Sequence, residues 1–268
     1  MPRTTTHQTM LPFSTLLRNA LLLFEEKIML FVAVTAIPLF VSYAIYWLLL
    51  NKIINTLATV HSVEQLQAMF SLNSSTTYLS SAAFLVIALI NIFGLIANPI
   101  VASYNKHITW KTIIPESAKF FFSYIGLTIL ISLSLFGILI VSYLVCTIIA
   151  SIFGYINHSY LNTVFFLLIP LVPNVLVLFS GIFFVFAPFA LVTNQAGAWA
   201  ALLTSWRLVK QHFFGIVIRL GLILIILILL TTLLQFIPLV GWSLAILISN
   251  ITLTVFNYTL YLHLTTNE

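Results

Sequence analysis

The sequence contains no aspartate, and its acidic residues are only Glu25, Glu26, Glu64, Glu116 and Glu268. Charged residues make up 6% of the 268 positions, against about 25% in a soluble domain. That excludes a solvated enzyme and a disordered chain. The one cysteine, Cys146, lies in an apolar run and closes no internal disulfide. Ten Lys/Arg give a net charge of +5, too thinly spread for a nucleic-acid surface. What is present is apolar: 62% hydrophobic residues and a mean hydropathy of +1.17. This is the composition of an integral membrane protein.

Charge-free runs locate the crossings. Residues 28–50, between Lys27 and Lys52, suffice for one, since about 20 apolar residues cross a bilayer. No small-residue cleavage site follows, so the run reads as an anchor. A Ser/Thr/Asn-rich loop at 71–81 leads into a second span, 79–103. Between Lys119 and Arg207 there is no charge, and two long spans fit, 120–153 and 161–193. A turn-like break, Gly154-Tyr155-Ile156-Asn157-His158-Ser159, separates them. Pro170 and Pro173 either kink the fourth span or delay its start. Spans 213–235 and 239–263 flank a break carrying Pro238 and Gly241. A tight turn there is the first reading, and a re-entrant hairpin over 236–263 is the alternative. With the N-terminus inside, Arg3, Arg18, Lys27, Lys106, Lys111, Lys119, Arg207, Lys210 and Arg219 fall on the cytoplasmic side and only Lys52 outside. That bias favours six spans with both termini cytoplasmic.

Each odd-numbered span follows a short amphipathic segment, at 11–26, 108–119 and 197–212. In the third, Trp199, Leu202, Leu203, Trp206, Val209 and Phe213 share one face, while Ala200, Thr204, Arg207, Lys210 and Gln211 share the other. In the second, Trp110, Ile113, Ile114, Ser117 and Phe121 oppose Lys111, Glu116 and Lys119. In the first, Phe13, Leu16, Leu17, Ala20 and Phe24 oppose Ser14, Arg18 and Glu25. Such helices lie in the headgroup plane with cations toward phosphate. Gly126 and Gly215 are 89 residues apart, as are Pro99 and Pro188, which fits a threefold repeat of interfacial helix, span, span.

The stretch Ala187-Pro188-Phe189-Ala190-Leu191-Val192, then Gly197, then residues 200–210 with Ser205, Arg207 and Lys210, resembles the signature of the YciC-like family of bacterial inner-membrane proteins. The chain is more distantly similar to the membrane domain attached to some glycerophosphodiester phosphodiesterases. The resemblance runs from about residue 79 to 263, including Ser249-Asn250, and the N-terminal part shares only the layout. It implies a multi-pass protein of a bacterial inner membrane and carries no catalytic residues.

The chemistry on offer is sparse. Glu25 and Glu26 are helix neighbours pointing apart, poor partners for acid–base work. The histidines His7, His61, His107, His158, His212 and His263 form no pair at i+3 or i+4, so no metal is expected. No phosphate loop, nucleophile elbow or H-E-x-x-H motif occurs. No cofactor is expected. Two clusters remain. Arg207, Lys210 and Arg219, with Lys111 and Lys119, form candidate lipid-headgroup contacts. For Arg219 the plainer reading is a snorkelling anchor. Asn91, Asn98, Asn174, Asn250 and Asn257 lie within spans and need hydrogen-bond partners; helix-to-helix bonds are the plainer reading, a polar pathway the other. The expectation is an all-α integral membrane protein of six transmembrane and three interfacial helices, non-enzymatic. Its partners would be membrane phospholipids, with no nucleic acid, and its role lipid binding or envelope support. The alternative is a small transporter or channel.

Overall fold

The computed structural model describes residues 11–58, 62, 64, 75–104, 108–156, 159–237 and 241–266, without the side chains of 75, 76, 150, 152–156 and 159–170. Seven helices carry nearly all of them: α1 Phe13–Leu57, α2 Ser75–Ser103, α3 Trp110–Ile156, α4 Ser159–Ile182, α5 Ala187–Thr193, α6 Ala198–Leu234 and α7 Gly241–Thr266. Six stretches are long and apolar enough to cross a membrane, the fourth running Leu171–Thr193 through α4 and α5. The chain is therefore a multi-pass membrane protein.

Several boundaries differ from those read in the sequence. Helix α2 begins at Ser75, so the end of the expected polar loop is helical. Its hydroxyls do not stop a helix whose later turns are apolar. Segments 11–26 and 108–119 are not set off from their spans. At about 1.5 Å per residue, the 45-residue α1 and 47-residue α3 run roughly 70 Å each, over twice a ~30 Å hydrocarbon core. Neither junction, Glu25-Glu26-Lys27 or Lys119-Phe120, holds a helix breaker. In α6 the junction does bend: His212 leaves the helical region at φ −124°, ψ 25°. The fourth span is split, but α4 runs through Pro170 and Pro173 and ends at Ile182. Helix α7 is one uninterrupted helix of 26 residues, as a full span requires and a hairpin does not.

The chain forms two compact units. One comprises Ala20–Phe121 and Leu230–Val255. Its core is Phe31 and Val34 of α1 against Ile96, Ala97, Ile100 and Val101 of α2, at helical spacing. Gly94 permits the close approach, since a Cβ there would sit 2.9 Å from Pro38 Cγ. Small residues are how membrane helices gain packing contact without a hydrophobic driving force. Gly241 is needed for the turn before α7, because a Cβ would lie 2.0 Å from the Leu234 carbonyl oxygen.

The other unit comprises Met1–Asn19, Phe122–Leu229 and Phe256–Glu268. Phe186 and Phe189 pack on Tyr261 and Tyr258 at ring separations of 5.8–6.2 Å. The Tyr261 and Thr193 hydroxyls are 3.1 Å apart, giving the buried phenol a polar partner. Between α4 and α5 the helix tightens over Phe183–Phe186. Pro188, lacking an N–H, is placed in the first turn of α5, where a donor is dispensable.

Candidate functional site

The break at 183–186 frees backbone groups inside the apolar bundle. Ser205 of α6 answers both ends of it: its hydroxyl donates to the Phe183 carbonyl at 2.7 Å and accepts the Phe186 N–H at 3.1 Å. Ser205 is fully buried. An irregular backbone at membrane depth persists only with such satisfaction. Phe183 then stacks on Trp206 at 4.4 Å and on Phe213 at 5.5 Å, on either side of the His212 bend.

This contact sets how the first half of α6 is turned. Ala201, Leu202, Ser205, Leu208 and Val209 face the protein. The expected apolar face is therefore rotated: Leu202 and Val209 pack inward, while Trp199, Leu203 and Trp206 are exposed. The reason is Ser205, which a purely apolar reading placed on no face. Beside the Trp stripe stand exposed Arg207, Lys210 and Gln211. Aromatic and cationic side chains thus lie next to each other on the outside of one helix.

Arg219, half-buried, is not part of that exposed set. It donates to Gly215 O at 3.0 Å in its own helix and to Leu11 O at 2.5 Å. The Leu11 N–H donates to His263 Nε2 at 3.2 Å. Arg219 and His263 together hold the residue that leads into α1, and Phe13 adds a ring contact to Phe256 at 5.7 Å.

In the other unit, Lys111 and Lys119 are exposed at the start of α3, opposite the fully buried Ile113 and Ser117. Lys119 Nζ lies 5.4 Å from the Phe120 ring centre, within cation–π range. Tyr104 has its phenol pKa raised, first by burial and then by the charge and hydrogen bond of Glu116.

In the sequence Lys27 is a charge flanking the first span, and the structure gives it a role. It is buried and donates to the carbonyls of Val101 (2.9 Å), Ala102 (3.4 Å) and Tyr104. Val101 and Ala102 carry unsatisfied carbonyls of the last turn of α2, Tyr104 follows directly, and the cation also meets the negative end of the helix dipole. A lysine beside two glutamates gives no sign of such a partner in the sequence.

Asn98 is buried and its Oδ1 accepts the Thr35 hydroxyl at 3.2 Å; exposed Asn91 donates to Ser42 Oγ at 3.0 Å and Ile87 O at 2.8 Å. Asn250 and Asn174 are exposed. Asn257 is buried, and its Oδ1 takes no hydrogen bond among the described residues. Asn91, Asn98 and Asn250 belong to one unit, Asn174 and Asn257 to the other. No group of three metal-binding side chains occurs among the described residues, and His7, His61, His107 and His158 lie outside them.

No family model matches the chain, and no curated protein or solved structure matches it.

Proposed function

We propose that the chain is a non-enzymatic protein of a bacterial inner membrane that binds anionic phospholipid headgroups and serves as a lipid-handling or accessory factor of the envelope. The YciC-like resemblance belongs to this reading, as do cytoplasmic termini. The observation that carries it is the outer surface of α6 before His212. Trp199, Leu203 and Trp206 are exposed beside Arg207 and Lys210, on a segment that bends at the point where the apolar span begins. Tryptophan settles at the headgroup level of a bilayer, and each nearby cation adds about 1 kcal/mol of attraction to anionic lipid. Exposed Lys111 and Lys119 make a second such segment, with Arg219 in a supporting role through its hold on Leu11.

The threefold repeat is part of the proposal. Leu16 and Ala20, Ile113 and Ser117, and Ala201 and Ser205 are each buried at i and i+4 in the three segments. From Ser117 to Ser205 the offset is 88, and from Gly126 to Gly215 it is 89. His212, where α6 bends, lies between Ser205 and Gly215. Extraction with native lipids, followed by mass spectrometry, tests the function. Anionic phospholipid should be enriched several-fold over the bulk membrane and return to the bulk ratio in Arg207→Gln/Lys210→Gln. Equal enrichment in that variant overturns the proposal.

A further inference from the structure

One cavity belongs to none of the residues above. It lies in the unit holding α1 and α2, encloses about 500 Å³, and is almost entirely apolar. From α1 come Tyr46, Leu49, Leu50 and Ile53; from α2, Thr77, Ser80, Ser81 and Phe84. Leu49, buried, forms the floor, while Tyr46 and Phe84 are exposed walls.

Its depth follows from helix geometry. Lys27 and the end of α2 mark one end of this hairpin. Leu49 is 22 residues farther along α1, roughly 33 Å at the usual rise, the thickness of a hydrocarbon core. The cavity therefore lies at the opposite membrane boundary from Lys27. Its mostly apolar walls offer water few partners and suit a hydrocarbon occupant. Its volume falls within the ~300–1,000 Å³ typical of built ligand sites. The lining residues Thr77, Ser80 and Ser81 carry hydroxyls and Tyr46 a phenol, Asn51 and Asn55 are exposed on the same stretch of α1, and the cation on the lining helices near it is exposed Lys52, one residue before Ile53.

We infer that this cleft holds one acyl chain of an anionic phospholipid, with the chain against Leu49, Ile53 and Phe84 and the headgroup within reach of Lys52 and the α2 hydroxyls. Lysine serves as a point charge for a phosphate. The site shares no residue with the cationic segments of α3 and α6, so either can fail without the other.

The test uses the full chain in phosphatidylcholine vesicles doped with phosphatidylglycerol carrying a photoactivatable diazirine on one acyl chain. After irradiation, labelled peptides are mapped. Label should concentrate at residues 46–53 and 77–84, at least fivefold above other lipid-facing peptides of α1 and α2. Unlabelled phosphatidylglycerol should compete, and a phosphatidylcholine probe should label several-fold less. Leu49→Trp should reduce the signal at least fivefold; Ser81→Trp, at an exposed lining position, fills the mouth without disturbing the core. Lys52→Gln should abolish the headgroup preference. Uniform labelling of all lipid-facing peptides overturns the inference, as does labelling that survives Ser81→Trp. Competition by free fatty acid but not by phosphatidylglycerol overturns the choice of ligand.

Discussion

Replacing Ser205 by alanine removes one hydroxyl from a fully buried position and leaves two backbone groups behind. The Phe183 carbonyl loses its 2.7 Å donor and the Phe186 N–H its 3.1 Å acceptor. Leaving a buried polar group unpaired costs about 1–3 kcal/mol, so about 3 kcal/mol for the two is a moderate expectation. For a chain of this size each kcal/mol lowers the melting temperature by about 2–4 °C, giving a drop of roughly 6–12 °C. The assay is thermal unfolding of the purified protein in one fixed detergent. Two controls sharpen it. Ser117 is equally buried, but its hydroxyl makes no hydrogen bond among the described residues. Ser117→Ala therefore removes a desolvated group and should leave the melting temperature unchanged or raise it by about 2–4 °C. Thr204, on the same helix, bonds only its own backbone at Ala200 O, so Thr204→Ala should move it little. Equal effects of Ser205→Ala and Ser117→Ala would refute the argument that the hydroxyl, rather than burial alone, holds the α4–α5 break.

Lys27→Met keeps an unbranched apolar stem, one atom shorter, and removes the donor to three carbonyls, so it should lower stability by about 1.5–3 kcal/mol in chemical denaturation; a neutral result removes the capping role. Gly241→Ala places a methyl 2.0 Å from the Leu234 oxygen and should cost about 3 kcal/mol, read as loss of folded yield after extraction. Arg219→Gln frees the Leu11 carbonyl, so amide exchange at residues 11–16 should accelerate at least tenfold while the α7 core stays protected. Gln195 has φ 49°, a left-handed conformation that costs about 1 kcal/mol for a non-glycine residue, so Gln195→Gly should raise the melting temperature by a few degrees.

Six crossings were legible because charge is scarce. Every gap between Lys or Arg residues in this chain is a measurement of how much sequence can sit in lipid. The boundary between the segment 197–212 and the span 213–235 is legible from the end of the Arg207–Lys210 face, and α6 bends at that boundary, at His212. The α4–α5 break was not. Pro170 and Pro173 carry the obvious signal, yet α4 passes through them, while the actual break depends on Ser205, 19 to 22 residues away and on another helix. Lys27 was missed for the same reason. Its partners lie 74 to 77 residues downstream, and their recruitment depends on where α2 ends. Among the asparagines, residue type alone could not separate Asn98 and Asn257, which are buried, from Asn91, Asn174 and Asn250, which face outward. Periodicity finds faces; it does not find which of two faces meets protein and which meets lipid.

Lys27 also bears on the order in which the chain is built. A ribosome delivers α1 first, with an ammonium whose acceptors do not yet exist. At about 5–20 residues per second, Val101 follows some 4–15 s later. Throughout that interval the lysine must stay at the aqueous margin, which keeps the first helix from sliding deeper. Arrival of Val101 and Tyr104 lets the charge withdraw from water, and from then on the two helices move as a pair. A lysine that looks like a topology signal thus clasps together two helix ends made 74 to 77 residues apart.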